Sequence, residues 1–400
     1  MQIKSVAVEN FKALRDPGTV RLRPLSVIIG NNGSGKSSLL EAVETYRRVV
    51  LDGVDAAMEH WQGFEHLRHK AALSRLTTAA RNDPSKQQGA MSFKLKLAMP
   101  RGAVDLSMKV NVREAGNRLY IQDERFRIAK GAEVVRGAHG ATAIGGEGRS
   151  VMFGLPEMNE TMEALQNLLF LRLNPEAIGN LQSIKRSGGR IRLTGDGANV
   201  AEYLIDMRER SASAFEEVTR ALQYVLPYAS DVEPKVLDAG ILRRSYVQLL
   251  EGRYEIPGWL MSSGSLRVLP LISTLLDPDP PPVLFIEEVE NGLDPRTVGL
   301  VVDLMRAAAQ SGRTQVIATT HSPYLLDMLD LDDVLLCERG DKGPVFSWPA
   351  SRKEMKAWRD KFMPGRLYTM NALQRASVSP PEAAFPTQGE APEGGWGDDE

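Results

Sequence analysis

The 400-residue chain has a single cysteine, Cys337, which excludes an intramolecular disulfide framework and a multi-cysteine metal site. It sits in Val334-Leu335-Leu336-Cys337, an apolar run that reads as a buried strand and gives the thiol a packing role. No apolar run approaches the length of a membrane span, and Met1-Gln2-Ile3-Lys4 opens no apolar signal core. A soluble cytoplasmic protein is expected. A large charge excess is also missing, since the net charge is −2. Six of the 51 acids and none of the 49 bases fall in residues 376–400, so the rest of the chain is only mildly basic. That excludes a strongly basic, dedicated nucleic-acid binder and restricts any DNA contact to a local patch. Internal repeats and sustained heptads are absent, which excludes a solenoid and a long coiled coil. The length exceeds that at which one core stops growing, so two or more lobes are expected.

What the chain does have is concentrated in short stretches. Gly30-Asn31-Asn32-Gly33-Ser34-Gly35-Lys36-Ser37 fits G-x-x-x-x-G-K-[ST]. It follows the apolar run Leu25-Ser26-Val27-Ile28-Ile29 and precedes Ser38-Leu39-Leu40-Glu41-Ala42-Val43, whose apolar positions continue at helical spacing. Strand, glycine loop and helix form the context of a phosphate-binding loop. The glycines let backbone N–H groups wrap phosphate oxygens, and the helix start adds unpaired donors. ATP is expected on residues 30–38, with Lys36 reaching the β- and γ-phosphates and the Ser37 hydroxyl on Mg²⁺.

Val283-Leu284-Phe285-Ile286-Glu287-Glu288 is an apolar strand ending in two acids. Beside a phosphate loop, Glu287 is expected to hold the metal and Glu288 to polarise the attacking water. Asp294-Pro295 is either a nucleotide contact or a helix N-cap. His321 follows a second apolar strand, Gln315-Val316-Ile317-Ala318, and is expected to project into the ligand crevice at the strand's carboxyl end. Met261-Ser262-Ser263-Gly264-Ser265 opens a helix and offers hydroxyl and N–H donors to an anion. The densest basic cluster, Lys185, Arg186, Arg190 and Arg192, suits either nucleic-acid phosphates or an ordinary solvated loop.

Periodicity expects strands between Met91 and Val135, with a turn at Gly116-Asn117, and helix over 56–80 and through most of Met162 to Leu226. Strands then alternate with helices, the arrangement of a mostly parallel sheet. The expected organisation is an N-terminal ATPase lobe with an antiparallel β subdomain (1–160), a helical lobe (161–255), a C-terminal ATPase lobe (256–375) and a disordered acidic tail (376–400).

In this order the motifs resemble the ABC-type ATPase heads of the SMC and RecF superfamily. They are most similar to stand-alone ATPases whose domain also occurs in OLD-family nucleases. Asn10-Phe11-Lys12-Ala13-Leu14 resembles the N-terminal strand motif, residues 30–37 Walker A, 261–265 the signature, Glu287-Glu288 Walker B with its catalytic glutamate, Leu293-Asp294 the D-loop, and His321 the switch histidine. Gly63-Phe64-Glu65-His66-Leu67, residues 173–178 and residues 195–199 resemble that subgroup further. Departures are Glu287 in place of the usual Asp, Met261 and Ser265 in the signature, and a Q-loop for which Gln62 is the candidate. Glu338-Arg339-Gly340-Asp341 resembles the start of a Toprim nuclease domain, but the residues that follow are too few for that fold.

The resemblance implies an α/β P-loop NTPase of ABC-ATPase head type that binds ATP and Mg²⁺. It further implies a homodimer in which Ser262, Ser263 and Gly264 cap ATP held by a second copy. The function expected is an ATP-driven switch acting with nucleic acid, DNA being one candidate, and a separate effector, a nuclease or toxin, in DNA repair or anti-phage defence. The alternatives are the ATPase subunit of a membrane transporter and a slow nucleotide-gated scaffold. Gly30 and Gly264 lie 234 positions apart, a wider separation than transporter-type heads carry, which favours the first.

Overall fold

The computed structural model describes residues 1–70, 89–113, 118–128, 131, 133–136, 146–184, 189–239, 242–340, 343–358 and 361–374. The acidic tail, Lys185, Arg186 and the turn at Gly116-Asn117 lie outside them. The chain opens with β1 (Gln2–Glu9), β2 (Thr19–Arg21) and β3 (Leu25–Ile29), then enters helix α1 (Lys36–Asp52). Four strands follow: β4 (Met91–Met99), β5 (Gly102–Arg113), β6 (Arg118–Ile128) and β7 (Glu133–Val135). Next come α2 (Asn159–Gln166), β8 (Leu169–Leu171), β9 (Gln182–Ser183), α3 (Val200–Arg210) and α4 (Ala212–Val225). Strands β10 (Asp231–Ala239), β11 (Leu242–Glu251) and β12 (Tyr254–Pro257) precede α5 (Ser263–Leu276). The last third runs β13 (Val283–Ile286), α6 (Pro295–Gln310), β14 (Gln315–Thr320), β15 (Val334–Gly340) and β16 (Gly343–Ser347). Shorter helical turns link these elements.

Among the described residues the strands form three sheets. The central one has the order β16-β15-β3-β14-β13-β8, parallel except for β16. Strands β3, β13 and β14 are buried along their whole length. That explains why they read as continuous apolar runs rather than alternating ones. Alternate residues still face opposite ways: Val27 and Ile29 join one core, while Ile28 joins the other. The second core packs α1 between the central sheet and the antiparallel sheet β2-β1-β4-β5-β6-β7. Tyr46 of α1 meets Phe93 of β4, and Phe93 meets Phe11 edge-on at 5.7 Å. The first core packs α3 to α6 against the opposite face.

Three expectations are corrected. The stretch Met162 to Leu226 contains β8, which pairs in parallel with β13. The segment expected as a helical lobe also carries the antiparallel strands β10, β11 and β12. Leu169-Phe170-Leu171 is a short apolar triplet without alternation, and such a triplet cannot be told from a turn of buried helix by period alone. The outer half of β11, Leu242-Arg243-Arg244, is exposed and charged, so it lacks an apolar stripe. The helix expected from Ala56 is interrupted at Gln62 and Gly63, both of which have positive φ.

The Gln315 side-chain amide ties the central sheet to β1 and to Arg23, just before β3. Gln315 is 1% exposed; its Oε1 accepts the Ile3 N–H at 2.7 Å, and its Nε2 donates to the Ile3 and Arg23 carbonyls at 2.9 Å each. Gln315→Ala strands three backbone groups in a dry interface and is expected to destabilise the fold by about 2–4 kcal/mol. Urea unfolding of the two proteins measures this.

Candidate nucleotide site

The parallel strands bring the sequence motifs to one edge. At their carboxyl ends, β3 runs into Gly30, β13 into Glu287, β14 into His321 and β8 into Arg172, the edge at which open α/β sheets bind ligands.

The loop from Gly30 to Ser37 is shaped for an anion. A Cβ on Gly30 would lie 2.0 Å from the Cys337 carbonyl oxygen, so only glycine lets the loop leave β3 beside β15. Gly35 has φ +111 and lies against Pro344, and it starts α1 with no side-chain cap and no acid in the first turn. The helix therefore presents uncapped N–H donors and its positive end to the loop. Ser34 Oγ is buried without a partner. Lys36 is 5% exposed and folds back on the loop, donating to the Gly30 carbonyl at 2.7 Å and the Asn31 carbonyl at 3.1 Å. Burial pushes its ammonium below its ordinary value, while Cys337, Glu288 and Glu290 pull the other way. An orphan hydroxyl, a buried cation and free helix donors fit a nucleotide phosphate. Burial raises the Cys337 thiol to about 11, in keeping with a packing role.

The two glutamates are treated differently. Glu287 is half-buried, hydrogen-bonds with Ser37, and accepts from Arg172 Nε at 2.5 Å. Burial raises its carboxyl above the usual range, against the pull of Arg172. Glu288 is exposed and has φ +47, a left-handed conformation unusual for a non-glycine residue. Its N–H donates to Thr319 Oγ1 at 2.9 Å, and its carboxylate accepts from Asn291. Thus Glu287, just past the end of β13, faces Ser37, while the left-handed turn at Glu288 leaves its side chain exposed to solvent.

The neighbouring Glu290 and Arg172 were not anticipated. Glu290 Oε1 accepts the His321 N–H at 2.7 Å, and its Oε2 is buried without a partner. Arg172 also donates through Nη1 to Glu44 of α1 at 2.6 Å, and Glu44 receives Arg48 as well. Burial alone would raise Glu44, but these two guanidinia hold it below the usual carboxylate range. Had Leu169–Leu171 been read as a strand, Arg172 would have stood at the same edge as Glu287.

The remaining motif residues lie elsewhere or take structural roles. Asp294 caps α6, accepting from the Arg296 and Thr297 N–H groups, and its hydrogen bond from the Thr297 hydroxyl holds its carboxyl below the usual range. Ser262 caps α5 through the Ser265 N–H. Gly264 packs so closely on the Gly292 carbonyl that a Cβ would lie 2.5 Å from it, and Ser263 is exposed. The signature loop thus abuts the D-loop of its own chain, and the hydrogen bonds of Ser262 stay within α5. Arg190 is drawn inward, its guanidinium bridging buried Asp277 at 3.0 Å and Asp279, so its charge is neutralised within the fold. Arg192 is exposed.

Two family models match the sequence. One, described as an AAA ATPase domain, matches residues 1–46. The other, described as an AAA domain, putative AbiEii toxin, type IV TA system, matches residues 180–327. A search of curated proteins gives no match. Among solved structures, the SMC head bound to the C-winged-helix domain of ScpA is similar at 14% identity and TM-score 0.54, over 89% of this chain and all of that one. The SMC head with an extended coiled coil from Pyrococcus furiosus, bound to the C-terminal domain of ScpA, is similar at 12% identity and TM-score 0.50, over 90% and 98%. The fold is that of an SMC head. No helix among the described residues is long and apolar enough to cross a membrane.

Arg172→Ala would leave Glu44 and Glu287 without their shared cation, and a cost of about 3 kcal/mol is expected. Glu44 is held low by this arginine, so its stabilising contribution exists above the ordinary carboxylate range and disappears on acidification. Glu287 would be raised further, and its penalty also appears only once it ionises. Both signs agree: the deficit should be greatest at neutral pH and shrink towards pH 4, as read from denaturation midpoints across that range.

Proposed function

We propose that the chain hydrolyses ATP as a switch, closing as a two-fold pair around two nucleotides and acting with nucleic acid and a separate effector in anti-phage defence or DNA repair. The observation that carries the reading is the convergence of the Gly30–Ser37 loop, Glu287, Glu288 and His321 on one sheet edge, while the Ser262–Gly264 loop contacts the D-loop instead. Lys36 and the uncapped start of α1 bind the phosphates, with Asn31, Asn32, Gly33 and Ser38 completing the loop. Bound Mg²⁺, held by Ser37 and Glu287, would neutralise charge developing on the phosphate oxygens. Glu288 accepts a proton from, or orients, the attacking water, and His321 senses the γ-phosphate.

The resemblance to ABC-type heads supports pairing. A site with donors on one side only is completed when a second copy presents Ser262, Ser263 and Gly264, and a two-fold interface supplies this reciprocally. ATP then favours the closed pair, and hydrolysis reopens it. The matched description naming a putative AbiEii toxin supports the defence setting, and the ScpA-bound heads among similar structures favour a separate protein partner.

Glu288→Gln is expected to keep ATP binding and lose turnover by about 100-fold or more, whereas Lys36→Ala should weaken binding itself. Phosphate release and nucleotide binding measure the two, and an unchanged rate for Glu288→Gln overturns its assignment. For assembly, Lys36→Ala chains mixed with Ser263→Glu chains retain one intact composite site per heterodimer and should regain part of the activity. No rescue, with heterodimers shown to form, means that each site is built within one chain.

A further inference from the structure

A second cleft, of about 770 Å³, opens at the opposite edge of the central sheet, where Pro280-Pro281-Pro282 lead into β13. Arg47 and Arg48 of α1 line it, together with Arg190, Arg192 and Arg313. Glu44, the residue of α1 in the lining nearest the phosphate loop, is eight residues from Lys36, so about 12 Å of α1 separates this cleft from that loop.

The charges in the cleft do not cancel. Arg48 is paired with Glu44, and Arg190 with Asp277 and Asp279. Arg47, by contrast, donates only to the Leu165 and Gln166 carbonyls, and Arg313 only to the Pro278 carbonyl. Arg192 is exposed, with no acidic partner among the described residues. Of the acids in the lining, Glu44 and Asp279 are taken as above and Glu160 pairs with Arg101. Among the described residues the exposed Glu163 is left against three guanidinia, Arg47, Arg192 and Arg313, that make no ion pair. Burial and the neighbouring Arg48 push Arg47 below its ordinary value, Glu44 and Asp52 pull the other way, and Arg192 adds to the push. Met99, Pro100 and the prolines before β13 give the cleft an apolar wall as well.

We infer that this cleft binds a phosphate monoester carried on a nucleotide, separately from the ATP site. The volume is that of a small-ligand pocket and too small for duplex nucleic acid. Planar guanidinium forks suit a dianionic phosphate, and an apolar wall suits a sugar or base. The same chemistry is presented by a free mononucleotide and by the 5′-phosphorylated end of a single strand.

The test is equilibrium binding of AMP, of a short 5′-phosphorylated single-stranded oligonucleotide and of its 5′-hydroxyl twin, to the full-length chain at several salt concentrations. The expected result is salt-sensitive binding of AMP, of the phosphorylated strand, or of both, with the hydroxyl twin much weaker. AMP binding identifies a free nucleotide as the source, and binding of the strand alone identifies a strand end. Arg192→Glu, whose side chain supports nothing in the fold, and Arg192→Glu with Arg313→Glu should weaken binding by about tenfold or more. Lys36→Ala should leave it unchanged. The inference is overturned if neither phosphorylated probe binds, if the twin binds equally well, if the reversed-charge chains bind as the parent does, or if Lys36→Ala abolishes binding.

Discussion

Helix α1 is the element on which the rest depends, because it must be buried and yet leave its first turn unsatisfied. It lies between two sheets, with Leu39, Leu40, Val43, Tyr46 and Val50 in the core. That packing supplies the stability which an uncapped start withholds. A side-chain cap at position 35 would satisfy the first N–H groups and would also occupy the space a phosphate needs. Gly35, with φ +111 and Pro344 pressed against it, provides neither a cap nor room for one. The sheets thus hold in place a helix end that would be poorly stable alone, and the anion site is that residual deficit.

Burial of α1 brings a second constraint. Glu44 faces inward from the middle of the helix and is only 4% exposed. A carboxylate so placed requires cations, and it takes Arg48 from its own helix and Arg172 from the end of β8. Arg172 then reaches Glu287. A continuous chain of charges, Glu287–Arg172–Glu44–Arg48, therefore runs from the carboxylate beside Ser37 to the arginine cleft at the far edge. Glu44 has two guanidinia and stays ionised, whereas Glu287 shares one with it and lies near Glu41, so its carboxyl titrates higher. The order follows from counting cations per carboxylate, since burial works against both.

The nucleotide edge was legible because its residues follow local rules: glycines where φ is positive, an apolar strand ending in acids, a histidine just past another strand. Its context was less so. Arg172 lies 115 positions from Glu287, and β8, which carries it, is three residues long with no alternation to mark it. Strands β10 to β12 pair with one another over an exposed, charged outer half, so neither period nor composition announced them. Arg190 looked like part of a basic patch because sequence shows charge and not partners. Asp277, its principal partner, is 87 positions away and fully buried.

The turn after β13 is tied to the end of β14 by hydrogen bonds that join Glu288 to the segment leading into His321. Glu288 holds a left-handed backbone that costs about 1 kcal/mol for a side-chain-bearing residue, so something outside the turn must impose it. That constraint is the end of β14: Thr319 Oγ1 accepts the Glu288 N–H and the Thr319 carbonyl accepts the Val289 N–H. Glu290 returns the contact by accepting the His321 N–H. Three hydrogen bonds at three consecutive positions, 288 to 290, hold the turn against β14. Two motifs 33 residues apart in sequence are thereby joined through backbone and side-chain hydrogen bonds, and Glu288 keeps its carboxylate exposed while its N–H is held by Thr319.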